Sequence, residues 1–390
     1  MAEALDRARP AGDGDVVGGV PARLVADPAS TEEAAALLRE AAERDLAVVV
    51  RGAGTKLDWG SPPDRLDLIV DTRRLAGVVE HAAGDLITVV GAGTPMAELK
   101  LAEQQLALDS TFPGATVGGT VAVNVSGPRR MQYGTARDLL IGITVVRPDG
   151  MVTRAGGKVV KNVAGYDLGK LYTGSYGTLG LITECVFRLH PLPAAASVVR
   201  ARAVDAATAG RLVAAVLSAQ VVPSALEIDA APGSPVEVAV LVEGSRAGVQ
   251  DRAATVARLL GDAAEGYPDW WGQMPWDSGG MGVKVTAALS RVPDVVAVAQ
   301  EVGVAIRGSA GTGVLYAGLP ASEDAPRILE RLRAAAVGAG GHAVVLTAPP
   351  GIRTRVDMWG PVPGLALMRR VKEQFDPGRR FAPGRFVGGI

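Results

Sequence analysis

The sequence predicts an α+β fold in two parts, and three observations carry that expectation. At 390 residues the chain exceeds what one hydrophobic core usually organises, so two domains are expected, with enough chain to enclose a large cavity. Hydrophobic residues make up 48% and aromatics only 4%, the composition of a compact globular chain rather than a disordered one. A glycine-dense, β-rich first region then gives way, after Pro191 and Pro193, to an Ala/Val-rich alternation of strand and helix.

Residues 1–15 are rich in Ala, Gly, Asp and Arg without periodicity and are expected to form a flexible leader. The first domain is expected over 16–195. A helix over 31–44 is marked by Ser30 as its cap and Glu33 in capping-box position. A strand over 47–50 and the loop RGAGTKLD follow, then strands near 68–70 and 86–90. The run GAGTPMAELKLAEQQL reads as a turn opening a helix, with Pro95 near its first position. Residues 111–189 read as β-rich. In the second part, 196–360, strands are expected near 198–204, 225–228, 236–242, 284–289, 313–317 and 343–347. Helices are expected up to Gln220, up to Leu260, and over 293–301 and 324–337. Several strands to each helix pair suggest an antiparallel sheet with helices on one face, the pattern of a lid. The turns Asp376-Pro377-Gly378 and Pro383-Gly384-Arg385 are expected to return residues 361–390 to the first domain.

Forty basic against 41 acidic residues give a net charge of -1, and no basic run offers a nucleic-acid footprint. The single cysteine, Cys185, excludes an internal disulfide, a multi-cysteine zinc site and a self-contained iron-sulfur cluster. Any iron-sulfur relay belongs to a partner, and no metal site is expected. The apolar surroundings of Cys185 read as core, with a reactive thiol as the alternative. The N-terminus has no apolar central segment and no stretch approaches 18 apolar residues, so no membrane span and a cytoplasmic location are expected.

Two glycine clusters could bring backbone amides close to a pyrophosphate: Arg51, Gly52, Ala53, Gly54, Thr55 and Lys56, then Pro113, Gly114, Ala115, Thr116, Val117, Gly118, Gly119 and Thr120. Ordinary turns are the alternative. A nucleoside-triphosphate loop is excluded because Lys56 is followed by Leu57 rather than Ser or Thr. A Rossmann fingerprint at Gly91-Ala92-Gly93 fails because Met96 stands where the third glycine belongs.

The segments VVVRGAGTKLDWG and FPGATVGGTVAVNVSG resemble the two pyrophosphate loops of the vanillyl-alcohol oxidase type of FAD-binding domain. YGTARDLLIGITVVRPDG, KVVKNVAGYDLGKLYTGSYGTLGLIT and VKEQFDPGRRFAPGRF are similar to one branch, the FAD-binding subunits of bacterial glycolate oxidase. The resemblance implies a two-subdomain PCMH-type FAD-binding domain with an inserted α+β, ferredoxin-like cap. It implies that residues 51–56 and 113–120 wrap the pyrophosphate. It further implies that Asp138, Lys161, Asn162, Gly165, Tyr166 and Asp167 shape the flavin's surroundings, and that Gly177, Thr178, Gly180 and Ile182 line the adenosine end. Read without it, Tyr166 and Tyr172 are core aromatics and Lys161 a solvated strand charge. Relatives with covalent flavin often carry histidine in the first loop; Thr55 and Lys56 stand here, which implies non-covalent FAD. The sibling catalytic subunits show Gly-Ser-Glu-Gly-Thr-Leu-Gly and a late His-x-Gly-Asp-Gly-Asn-x-His cluster. Here Tyr176 takes the acidic position and the cluster is absent.

His81, His190 and His342 are far apart, so spacing identifies no general base. His190 ends a strand; His342 is a loop or strand-edge residue or, with Tyr316, a candidate proton acceptor. Trp270, Trp271 and Trp276 could roof a pocket, face a partner or pack in a core. Arg307, Arg353 and Arg355 are candidate carboxylate binders. The expected function is the FAD-binding subunit of a glycolate oxidase or related 2-hydroxy-acid dehydrogenase complex. Its partners would be a small 2-hydroxy acid, a catalytic flavoprotein sibling and an iron-sulfur subunit, with peripheral membrane attachment only through them. A stand-alone oxidase and a flavin-binding scaffold are the alternatives.

Overall fold

The computed structural model describes residues 4–158, 166–277 and 279–390. The chain divides into two units: Met1–Ser126 with Thr135–Pro191 and Pro361–Ile390, and Gly127–Gly134 with Leu192–Gly360. Residues 127–134, expected in the first region, therefore pack with the second.

The first unit holds two sheets. In the four-stranded sheet, Leu24–Ala26 and Val48–Arg51 lie parallel to and on either side of Leu68–Asp71, and Arg9–Pro10 adds antiparallel at the edge. Thr31–Glu43 forms the expected helix. Ser30 Oγ accepts from the Glu33 amide at 3.1 Å, while the Glu33 carboxylate reaches one residue further back than a capping box requires, to the Ala29 amide. Ala34, Leu37, Leu38 and Ala41 recur at three- and four-residue spacing, so one stripe meets Val48, Leu68 and Val70 in a common core. Burying each leucine contributes about 1.5–3 kcal/mol. The five-stranded sheet is antiparallel, in the order Val152–Gly156, Leu140–Val146, Leu181–Arg188, Ile87–Gly91, Val78–Ala82. Val117 and Val121 from the helix Val117–Val123 enter its core.

The leader reading is corrected from Ala4 onward. Ala4–Arg7 forms a turn of 3-10 helix, the amides of Ala4 and Leu5 donate to the Glu40 carboxylate, and Leu5 is buried. Asp15 is buried between Arg9 and Arg51, each 2.8 Å away. Composition gave no hint, because the contacts to Glu40 and Arg51 need partners 35 or 36 residues distant. The helix expected after Gly91 reduces to one turn, Met96–Glu98. Leu101, Leu106 and Leu108 all enter one core, and no single helical face presents that spacing. The stretch expected as β-rich also contains short helices, among them Val117–Val123, Ala136–Leu139 and Leu168–Tyr172.

The C-terminal segment closes on the first unit. The Val48 amide donates to the Arg380 carbonyl and the Ala382 amide to the Val48 carbonyl, covering the edge of Val48–Arg51. Below this, the Lys372 ammonium is 1% exposed and donates to Asp376 at 2.7 Å and to the carbonyls of Thr178 and Phe381 at 2.8 Å.

The second unit is an eight-stranded, wholly antiparallel sheet with one continuous core between it and its helices. It consists of two βαββαβ units side by side, each of ferredoxin-like strand order. The first runs Ala195–Ala203, Ala206–Ser218, Ala225–Ala230, Val236–Gly244, Arg246–Leu260 and Ala263–Glu265. The second runs Met281–Thr286, Val292–Glu301, Ala305–Ser309, Val314–Leu319, Ala325–Gly338 and Ala343–Thr347. They join through Ala225–Ala230 and Ala305–Ser309. Sequence patterning finds one cap and misses the doubling, because the strands AAE and AIRGS are short or interrupted by Arg and Gly.

A cofactor cleft in the first unit

The cleft is built where the parallel strand Val48–Arg51 ends and the chain turns into residues 52–57. Arg51 is held behind the turn, its guanidinium 2.8 Å from Asp15 and 3.1 Å from Asp71. Arg73 also bonds Asp71, at 2.8 Å. Burial works against ionisation of Asp71, but the hydrogen bonds and charge of Arg73 and the charge of Arg51 outweigh it and hold the carboxyl below its ordinary value. The strand end is thereby braced, which fixes the direction in which the loop leaves.

Three segments converge on the cleft. A Cβ on Gly52 would lie 2.2 Å from Thr116 Oγ1, so only glycine lets the first loop touch the second. Thr116 caps the helix Val117–Val123, its hydroxyl accepting from the Gly119 amide, and Gly118 sits against Ala92, where a Cβ would come within 2.7 Å. The third segment brings Tyr176, Gly177, Gly180 and Ile182. Tyr176 adopts a left-handed backbone, φ 57°, and its amide donates to the Ala122 carbonyl. Gly180 fits because a Cβ there would meet Val145 at 2.7 Å. Arg385 closes the rim by donating to the carbonyls of Leu57 and Trp59 at 2.9 and 2.8 Å. These segments frame an open cleft with about 100 Å³ of cavity volume between them.

The chemistry of the walls is that of an anion site beside an apolar slot. Among the described residues, the amides of Gly52, Ala53, Gly54, Thr55 and Lys56 donate to no protein acceptor. Lys56 is 9% exposed, with Thr55 Oγ1 at 3.1 Å and the Phe112 ring at 5.0 Å, and forms no ion pair among the described residues. Burial pushes its ammonium down to about 8, against a weaker opposing pull from Asp58. A row of unmet amides and one buried amine call for an anion with several oxygens, and a pyrophosphate fits. Val49, Val50, Ala92, Ala122, Val123 and Ile182 supply the apolar remainder.

Of the residues singled out from sequence, Gly52, Ala53, Gly54, Thr55, Lys56, Thr116, Gly118, Gly119, Gly177, Gly180 and Ile182 line this cleft. Others lie off it. Arg51 braces the loop from behind, Ala115 and Val117 are buried in the core, and Pro113 and Gly114 form an exposed turn. Thr120 is buried, its hydroxyl without a partner among the described residues. Thr178 is buried and donates to the Ser175 carbonyl at 2.7 Å. Asp138 is exposed and caps the helix Ala136–Leu139 through the Thr135 amide and hydroxyl. Asp167 caps Leu168–Tyr172, and Tyr166 is 94% exposed, so of the two tyrosines only Tyr172 is a core aromatic. Lys161, Asn162 and Gly165 lie outside the described residues. Sequence reasoning missed Thr72, Ala92, Tyr176 and Arg385 as walls; only the Pro383-Gly384-Arg385 turn gave a signal.

Cys185 is fully buried, and burial raises its thiol far above the usual range, which decides for core over reactivity. Among the lining residues there is no histidine: His81 is 3.0 Å from Gln104 Oε1, His190 is a half-buried strand residue and His342 is exposed at a strand entry. Trp270 and Trp271 pack on Val198, Ala225, Ala239 and Leu241 in the second unit.

Residues 22–156 match the family model described as FAD binding domain. The chain is 32% identical over 205 residues to glycolate oxidase subunit GlcD of Bacillus subtilis, covering 51% of this chain and 44% of that protein. It is 38% identical over 154 residues to glycolate oxidase subunit GlcE of Escherichia coli, covering 38% and 43%, and 36% identical over 172 residues to a D-lactate dehydrogenase of Archaeoglobus fulgidus, covering 43% and 39%. The chain thus spans less than half the length of these curated relatives. Chitooligosaccharide oxidase shares the fold, with a TM-score of 0.68 at 16% identity over 97% of this chain and 98% of that one. Over residues 22–156 the chain is similar to the FAD binding domain family, and FAD is its cofactor.

Proposed function

We propose that this chain is an FAD-dependent oxidoreductase acting on the CH-OH group of a small 2-hydroxy acid, and that it works as a subunit of a glycolate-oxidase type of complex. The observation that carries the reading is the cleft: five consecutive amides without protein acceptors and the buried Lys56 amine beside an apolar slot. The relatives, glycolate oxidase subunits and a D-lactate dehydrogenase, give the substrate class. FAD supplies a two-electron acceptor for the hydrogen on the carbon bearing the hydroxyl. The chain's own part is to hold the pyrophosphate on residues 52–56, to keep water from the apolar wall, and to brace the loop through Arg51. With no histidine or cysteine among the lining residues, the flavin is held without a covalent bond. The single buried cysteine cannot hold a cluster, so electrons leave to an iron-sulfur partner, beside a catalytic flavoprotein sibling. No helix of the described residues is long and apolar enough to cross a membrane, which supports a cytoplasmic site of action, with any membrane attachment through partners.

The test is the visible spectrum of the purified chain, before and after acid precipitation and after anaerobic glycolate or D-lactate. Flavin bands that move to the supernatant are expected. Bleaching by a hydroxy acid, by the chain alone or with its partners, supports the oxidoreductase reading. Flavin that no hydroxy acid reduces even in the assembled complex would sink it.

A further inference from the structure

Inside the second unit, the sheet face opposite the helices carries one line of polar residues. The register sets Lys284 beside Tyr316, Tyr316 beside Arg307, Arg307 beside Asp229 and Asp229 beside Glu237. Their strand neighbours Val283, Val285, Leu315, Ala317, Ile306 and Ile228 lie in the helix-side core, so period-two alternation puts the whole line on the other face.

Most charges there are matched. Arg307 Nε is 2.7 Å from Asp229, which removes it as a free carboxylate binder. Arg200 is 2.8 Å from Glu237, which also accepts from Trp270 Nε1, and Arg129 is 3.6 Å from Glu243. Two cations depart from this pattern. Arg130, brought in by residues 127–134, and Lys284 form no ion pair among the described residues. Both bear on Tyr316. An Arg130 guanidinium nitrogen donates to the phenol oxygen at 3.1 Å, and the guanidinium carbon lies 5.9 Å from the ring centroid. Tyr316 is 8% exposed. Burial disfavours its phenolate, but the charges of Arg130 and Lys284 and the Arg130 hydrogen bond outweigh that and the opposing Glu227, and hold the phenol below its ordinary value.

The buried Glu227 carboxylate on the same face offsets part of this charge, but half-buried cations that form no ion pair are costly, and an anion placed against them recovers part of that cost. A planar guanidinium beside an ammonium and a phenol offers several donors to the two oxygens of a carboxylate. Trp276 lies 6.2 Å from the Tyr316 ring and stacks close over Gly282, where any side chain would strike the indole. We propose that Arg130, Lys284 and Tyr316 form a binding site for the carboxylate of a small organic acid. The choice of ligand rests on the hydroxy-acid reading above.

Calorimetry of the whole FAD-loaded chain with oxamate, a small monocarboxylate with no hydroxyl to oxidise, tests it. Arg130→Met and Lys284→Met should each weaken binding at least about tenfold, and Arg130→Lys should recover part of the loss. A bound anion offsets the two cations and lets the phenol rise. Binding should therefore take up protons around the free phenol's pKa and weaken as pH climbs through it. Tyr316→Phe should remove that proton uptake, read from the buffer dependence of the heat and from tyrosinate absorbance, an effect a purely structural role would not produce. Circular dichroism checks each fold, and Lys284→Gln replaces any variant that fails. Wild-type affinity in folded variants of both cations, or no oxamate binding by the wild-type chain, overturns the proposal. If hydroxy acids bleach the flavin while the variants bind normally, this inference fails and the oxidoreductase reading stands. If binding needs both cations but no hydroxy acid reduces the flavin, the reverse holds.

Discussion

The two units differ in which atoms carry their chemistry. In the first, the cleft is a backbone site: Gly52, Gly118 and Gly180 are places where any Cβ would strike a neighbouring segment, and the unmet donors are main-chain amides. In the second, the polar line is a side-chain site, assembled by strand register from residues far apart in sequence. A backbone site needs short runs of small residues and rigid anchors behind them. A register site needs only that single positions on several strands fall in line. The first is therefore sensitive to added volume and to its buried braces, the second to the loss of individual charges.

The largest effect that would sharpen this contrast is at the brace under the first unit. Lys372→Met leaves the Asp376 carboxylate buried and short of its cation, and should cost about 3–5 kcal/mol of stability. Denaturant unfolding followed by far-ultraviolet circular dichroism measures it. A cost under ~1 kcal/mol would mean that the C-terminal segment is not what holds the edge of the sheet.

Gly52→Val comes next. Its side chain must displace Thr116, and overpacking of about 1–3 kcal/mol converts to a roughly five- to 150-fold loss of FAD affinity. Fluorescence titration of the apoprotein with FAD reads it directly. Unchanged affinity would break the distinction between the backbone cleft and the side-chain line.

The smallest effect is a pH dependence at Lys56. Its folded pKa is pushed down to about 8 by burial, and phosphate oxygens raise it on binding. FAD binding therefore takes up a proton above that pH. Affinity should be flat below about 8 and fall by up to about tenfold per pH unit above it, and Lys56→Met should flatten the profile. A wild-type profile already flat up to pH 10 would remove Lys56 from the anion site.

Much of the first unit was legible because its determinants are local. The Ser30 cap, the strand before the first loop and the glycines at 52, 54 and 118 are read from neighbouring residues, whereas those at 177 and 180 came only with the resemblance. Arg51 was assigned to the pyrophosphate yet serves as the brace behind it, since Asp15 and Asp71 come from other strands and turns. Asp138 likewise read as a flavin neighbour but is committed to a helix end.

By itself the sequence determined the α+β class, the order of nearly all the strands and helices of the second unit, and the glycine loops of the cleft. Periodicity, caps and backbone freedom act over a few residues, so one sequence suffices to express them. Only the tertiary structure decided that the cap is two ferredoxin-like units, that residues 127–134 join it, and that Arg130 meets Tyr316 across 186 positions. Pairing register and charge matching depend on distances between strands, and no local pattern records whether a cation finds its carboxylate.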